Sequence, residues 1–417
     1  MKGLRFPLIV LLALPLLASC VKPGNDPGPD PGPVPPAVTD KTPGFDLFYK
    51  GSTMCFASFM QDLGLVYREN GSPKDPYASL KAHGANCVRL QLDQVPFGTY
   101  GGINIDWQGW NRVLADAKKA RAQGLEIFLT MKPDYDVFTA TGTHHNICPT
   151  AWQAYSETEL GQAIHDWVYD RLAALAKEGI YPAIVAVGNE VNVGFCKPKT
   201  SAAADNFRTG RLLVYAHKAV REYAAEYNPA CLSAIHIANP EKAAYSVNAY
   251  ESSGAKDYDI VAVSYYPGTN IGHSLPYADF TAMAKAFQKK IMVVETAYSF
   301  TTGTKDGTWM GDWCDNAYNY PDWDDAANAV NYTPAKQRAW LAALARDLKN
   351  GGAAGLITWG TESLPDMLTG KAQGHGVGLY TYPAAWAYGS TWENNSYWDF
   401  TNSNNLHEGV DWMLDVK

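Results

Sequence analysis

Eight short apolar runs recur along this chain, most of them separated by a longer amphipathic stretch. The runs are MCFASF (54–59), CVRLQL (87–92), EIFLTM (126–131), AIVAVG (183–188), LSAIHI (232–237), IVAVSY (260–265), IMVVE (291–295) and GLITWG (355–360). None alternates apolar with polar residues, and all are rich in Val, Ile, Leu or aromatics. That pattern belongs to parallel strands covered on both faces. The intervening segments predict helices over 106–124, 156–179, 201–227, 277–290 and 333–352. Gly124 reads as a C-terminal stop, Ser156 with Glu159 as a capping box, and Thr333-Pro334 as a cap followed by a first-turn proline. Strands alternating with helices form either a doubly wound sheet or a closed barrel. No GxGxxG turn stands at any strand–helix junction, which removes the commonest reason for the doubly wound choice. The count of eight favours an α/β fold of the (β/α)8, or TIM-barrel, kind. Long loops are expected after the last two strands, about 296–332 and 361–407, on the rim where such barrels build their sites.

The first 44 residues read differently. Lys2 and Arg5 precede LIVLLALPLLA, too short to span a membrane, and the run ends in Leu17-Ala18-Ser19-Cys20. A small residue before a cysteine in that setting resembles a bacterial lipobox, so residues 1–20 are expected to be a lipoprotein signal peptide with Cys20 as the lipid-bearing residue. An ordinary cleaved signal is the alternative. Residues 21–44, dense in Pro and Gly, read as an extended tether, and 45–417 as one barrel domain. The expectation is an exported protein held by lipid in a bacterial outer membrane, facing the cell surface or the periplasm. A formal charge of −8 argues against nucleic acid as a partner. With Cys20 set aside, Cys55, Cys87 and Cys231 sit in apolar runs and read as buried thiols. Cys148 and Cys196 fall in loops after successive strands, where a bridge is conceivable, and no CxxC pair suggests zinc.

Two of the runs deliver an acid at their C-terminal end. Glu295 closes IMVVE, and Glu190 follows AIVAVG-Asn189. In a barrel all strand C-termini share one rim, and strands four and seven face each other across it. Two carboxylates would then enter one cleft from opposite sides. Glycosidic bond cleavage needs such a pair, one protonated to assist the leaving oxygen and one ionised to attack the anomeric carbon or activate water. Either glutamate alone could equally be a charged residue beyond a strand, paired with Arg89 or a helix N-terminus. Thirteen Trp and 25 Tyr supply either a large aromatic core or stacking platforms for sugars.

The segments NCVRLQL (86–92), AIVAVGNEVNVG (183–194), IHIAN (235–239), DIVAVSYYP (259–267), IMVVETAYSFT (291–301) and YTPAKQRAWLAALARDL (332–348) resemble, in order, those of glycoside hydrolase family 53. These are the endo-β-1,4-galactanases, a family of the clan A retaining (β/α)8 glycosidases. The resemblance implies Glu190 as acid/base and Glu295 as nucleophile, with Asn189 hydrogen-bonding the sugar 2-hydroxyl. Arg89 is implied to orient the nucleophile, Tyr265 or Tyr266 to reach it from strand six, Trp359 to form an apolar floor, and His236 to match a strand-five histidine. It implies a β-1,4-galactan substrate, no required cofactor, and a structural calcium as an open option in the acid- and amide-rich stretch 312–325. Outer-membrane glycan-uptake proteins are partners by analogy alone. The chain departs from the family pattern at Lys132, Asp134 and Tyr135 after strand three, at Asp93 after strand two, and after strand eight, where Glu362 follows TWGT. Those departures keep two alternatives open: a clan A enzyme on another β-linked glycan such as mannan, and a glycan-binding lipoprotein without catalysis.

Overall fold

In the computed structural model eight parallel strands close into a barrel. Residues 47–95, 98–100, 103–106, 108–138, 144–198, 204–238, 240–266, 282, 286–301, 332–364 and 392–417 are described. The readings of residues 1–44, of 312–325, of Cys314 and of most of the 277–290 helix lie outside them. The barrel strands are β1 (Tyr49–Thr53), β2 (Cys87–Asp93), β3 (Glu126–Lys132), β4 (Ile184–Val187), β5 (Leu232–Ile237), β6 (Ile260–Ser264), β7 (Lys290–Glu295) and β8 (Gly355–Thr358). Each pairs with its sequence neighbours, and β1 pairs with both β2 and β8 to close the ring.

Seven of the eight strands fall on the apolar runs, and the first does not. Strand β1 is YKGST, and MCFASF instead turns off the barrel top into a short helix α1 (Ala57–Asp62). The first strand has no apolar signature because close backbone packing, rather than side-chain bulk, places it. A Cβ on Gly51 would lie 1.8 Å from the Cys87 carbonyl oxygen, so only glycine admits strand β2 at that distance. The buried run that follows covers the top of the core, with Phe56, Phe59 and Met60 all inaccessible.

The helices are α2 (Pro76–Ala82), α3 (Trp110–Ala122), α4 (Glu157–Lys177), α5 (Asn206–Tyr227), α6 (Pro240–Ser252) and α7 (Pro334–Asn350). Sequence reasoning omitted α2 and α6. The capping box of Ser156 and Glu159 forms as expected, and Thr333 caps α7 with Pro334 in its first turn. Strand residues alternate between two cores. Tyr49, Cys87, Phe128, Ile184, Leu232, Ile260, Met292 and Ile357 fill the barrel, while Val88, Leu90, Ile127, Val185, Ile235 and Val261 face the helices. Burial on both faces is the reason the runs do not alternate. Cys55, Cys87 and Cys231 are buried free thiols, as expected. Cys148 and Cys196 are also buried and free.

Candidate active site

Above the apolar filling, the C-terminal ends of the strands turn polar. The inward positions Arg89, Gln91 and Asp93 of β2, Thr130 and Lys132 of β3, His236 of β5 and Ser264 of β6 are all buried. Glu295 joins them through an irregularity. Inward residues on β7 are Met292 and Val294, so strict alternation would turn Glu295 toward the helices. The β6–β7 ladder slips by one residue, Val263 pairing with Val293 and Ser264 with Glu295. A bulge of this kind re-aims a side chain, and here it brings Glu295 into the barrel mouth.

The opposite acid is set by backbone strain. Gly188 has φ +86°, and a Cβ there would meet Val191 Cγ1 at 2.3 Å. Glu190 itself adopts φ 51°, ψ 50°, a left-handed conformation that costs a non-glycine residue about 1 kcal/mol. The strained turn is tied down by Asn146, whose Nδ2 donates to the carbonyls of Asn189 (2.7 Å) and Gly194 (2.9 Å). Nothing in the sequence around Asn146 marked it for this role.

Glu190, His236 and Glu295 each present a ligand-type atom, and these atoms lie within 4.8 Å of one another. The two carboxyls are held unlike each other. Arg89 Nη1 donates to Glu295 Oε1 at 2.7 Å and the Tyr266 hydroxyl to Oε2 at 3.2 Å. The same arginine donates through Nη2 to Asn189 Oδ1 (2.6 Å) and through Nε to Thr130 (3.0 Å), and its guanidinium lies 5.6 Å from the Trp359 ring centroid. Glu190 is half-buried and accepts at Oε1 from Ser264 at 2.7 Å. Burial, together with the charge of Glu190, raises the Glu295 carboxyl to about 7 against the downward pull of Arg89 and Tyr266. His236 is driven down to about 3 by burial and by Arg89, so its ring is neutral.

Glu190, Glu295, Arg89, Asn189, His236 and Trp359 converge here, with one choice resolved. Tyr266, not Tyr265, carries the hydroxyl that reaches Glu295; Tyr265 donates its backbone N–H to the Glu295 carbonyl at 2.8 Å and so holds the slipped register. The departures after β2 and β3 answer each other. Lys132 Nζ stands 3.4 Å from Asp93 Oδ1 with both side chains buried. The Gln108 amide lies 2.7 Å from both the Gln91 amide and the Asp93 carboxylate, and Gln91 donates to Asn189 at 3.2 Å. A pattern change at one strand end is compensated at the next. Asp134 accepts from the Cys196 backbone N–H at 2.9 Å and braces the loop after β4. Glu362 is buried beneath the rim without a full hydrogen bond to either oxygen; burial raises it to about 8 against the nearby backbone N–H groups of Cys55 and Phe56.

A closed eight-stranded barrel with two glutamates meeting at the C-terminal mouth defines a (β/α)8 glycoside hydrolase. Comparison with known proteins narrows this. The family model described as glycosyl hydrolase family 53 matches residues 49–410, and the chain belongs to that family. It is similar to the arabinogalactan endo-β-1,4-galactanase of Cellvibrio japonicus, 28% identical over 386 residues, covering 88% of this chain and 90% of that one. It is 31% identical over 267 residues to the endo-β-1,4-galactanase of Bacillus subtilis, covering 62% of this chain and 59% of the relative. The family 53 catalytic domain of Ignisphaera aggregans superimposes with a TM-score of 0.68 at 25% identity, covering 92% of this chain and all of that domain.

Proposed function

We propose that the chain cleaves β-1,4-galactan within its length, with retention of anomeric configuration, by double displacement. The observation that carries this reading is the unequal treatment of two carboxyls whose oxygens come within 4.8 Å. At that separation two negative charges repel strongly, and the pair holds one proton near neutrality. Glu295 accepts from a guanidinium and from the Tyr266 hydroxyl, and the donor seen on Glu190 Oε1 is the neutral hydroxyl of Ser264. The charge therefore resides on Glu295 and the proton on Glu190. Glu295 attacks the anomeric carbon while Glu190 protonates the departing glycosidic oxygen. Glu190 then takes a proton from the water that releases the glycosyl-enzyme. The short gap suits this route, because inversion needs roughly 6.5–9.5 Å for an intervening water. Asn189, held by Arg89, Gln91 and His236, is placed to meet the sugar 2-hydroxyl, and Trp359 to floor the sugar. No step uses a metal or cofactor; calcium in 312–325 would be structural.

The galactan assignment draws on the names of the relatives. A second β-linked glycan such as mannan stays open on one observation, the buried Lys132–Asp93 pair at the ends of β3 and β2, where the chain departs from the family pattern. A panel of purified galactan, arabinogalactan, mannan and xylan, read by reducing-sugar release and product length, tests both readings. Short oligosaccharides from galactan alone support the proposal, and cleavage of mannan alone overturns the substrate. Affinity for galactan without product release would make the chain a binding lipoprotein. Proton NMR of early products reads the stereochemistry. The N-terminal pattern supports export, with a lipid on Cys20 and residues 21–44 as reach toward a large substrate, in the company of outer-membrane glycan-uptake proteins. Replacement of Cys20 by serine followed by membrane fractionation tests the anchor.

A further inference from the structure

Ser264 lies at the end of β6, at the slip that turns Glu295 inward. Its hydroxyl is buried between two partners: it donates to Glu190 Oε1 at 2.7 Å, and His236 Nε2 stands 3.0 Å away. A hydroxyl has one proton. Since that proton goes to Glu190, the contact with the histidine requires Nε2–H to donate to Ser264 Oγ. The Nδ1 lone pair is then left facing the Glu190 backbone N–H at 3.4 Å and Arg89 Nη2 at 3.5 Å, both donors. The opposite tautomer would satisfy Asn189 Oδ1, 3.1 Å from Nδ1, but that oxygen already accepts from Arg89 and Gln91. The chain His236 Nε2–H to Ser264 Oγ–H to Glu190 Oε1 is therefore directional.

We propose that Ser264 is a positioning residue for Glu190: with its rotor set by His236, it donates to Oε1 and leaves the exchangeable proton to Oε2. The inference rests on the acid/base role given to Glu190 above. Oε2 donates its proton to the glycosidic oxygen in the first step and takes one from water in the second, and the serine proton never leaves Oγ. Among the described residues, the charged or titratable groups around the acid pair are Arg89 from β2, His236 from β5, Tyr266 after β6 and Glu295 from β7, and Ser264 bonds Glu190 Oε1. A hydrogen bond to the charged form favours that form, so losing it raises the Glu190 pKa.

The test compares Ser264→Ala and Ser264→Thr in the whole protein on galactan and on a dinitrophenyl β-1,4-galactobioside, whose leaving group needs no acid. Ser264→Ala should lower kcat/KM on galactan roughly 10- to 30-fold, the size of a buried charge-assisted hydrogen bond. It should also move the alkaline limb of the pH profile up by about one unit. On the aryl substrate kcat/KM should stay within about twofold, because the first step there needs little acid assistance, and Ser264→Thr should restore the galactan profile. Equal losses on both substrates, or an alkaline limb that does not move, would overturn the role of Ser264 and leave the enzymatic reading intact. A wild-type protein that cuts no galactan sinks both. Should the alanine variant fail to fold, Ser264→Cys, a near-isostere with a weaker donor, carries the same comparison.

Discussion

The ends of β4 and β7 solve opposite problems with the same side chain. At β7 the carboxyl is buried, paired with a guanidinium and touched by a tyrosine hydroxyl. At β4 it sits half-buried on a strained left-handed residue and accepts from the Ser264 hydroxyl. Glutamate chemistry is identical in the two places, and in the proposed mechanism the environment alone divides the labour between charge and proton. The carboxyl of Glu362 supplies the contrast: it is buried like Glu295 but no guanidinium among the described residues bonds it, and it is raised to about 8 where Glu295 is raised to about 7.

The strongest way to break the comparison is to neutralise each member. Glu295→Gln should lower turnover by about 10^5-fold on galactan and on aryl galactosides alike, because every substrate needs the nucleophile. Glu190→Gln should cost roughly 10^3-fold on galactan, and far less in kcat/KM on substrates with good leaving groups. Steady-state rates on the two substrates check both, and a reversed pattern would exchange the roles. Arg89→Lys should reduce kcat about 10^2-fold, since an ammonium cannot bridge Glu295, Asn189 and Thr130 together. It should also move the acid limb of the pH profile upward, because a weaker cation leaves the Glu295 pKa higher.

The smallest effect concerns stability. The folded-state pKa of Glu362, near 8, exceeds that of the unfolded chain. Its contribution is therefore fully present at acid pH and fades as pH rises from the ordinary carboxylate range to about 8. Glu362→Gln removes that slope. Denaturant unfolding should show the variant gaining on the parent by on the order of 2 kcal/mol between mildly acid and mildly alkaline pH. Parallel stability curves would mean that Glu362 is ionised in the fold.

Much of this was legible in the chain. Seven apolar runs marked seven barrel strands, because burial on both faces writes itself directly into composition. The capping box at Ser156 and the Thr333-Pro334 start appeared where local hydrogen bonding demands them. Asn189-Glu190 and Glu295 stood out as acids at strand ends. Strand β1 was not legible, since YKGST is selected by backbone proximity to Cys87 rather than by hydrophobicity. Nor was Ser264, a small hydroxyl within a strand, whose only signal was its place in SYYP. Tyr265 and Tyr266 could not be told apart without knowing which one faces Glu295.

Seven of the eight strands, and the place of an acid at the ends of β4 and β7, could be read from the sequence, because each depends on local composition. Which way Glu295 points was decided only in three dimensions. A one-residue slip against β6 turns it inward, and a slip is a property of two strands, not of one. The separation of the carboxyls and the pairing of Lys132 with Asp93 likewise arise from segments far apart in the chain, and their energies exist only once the barrel has closed around them.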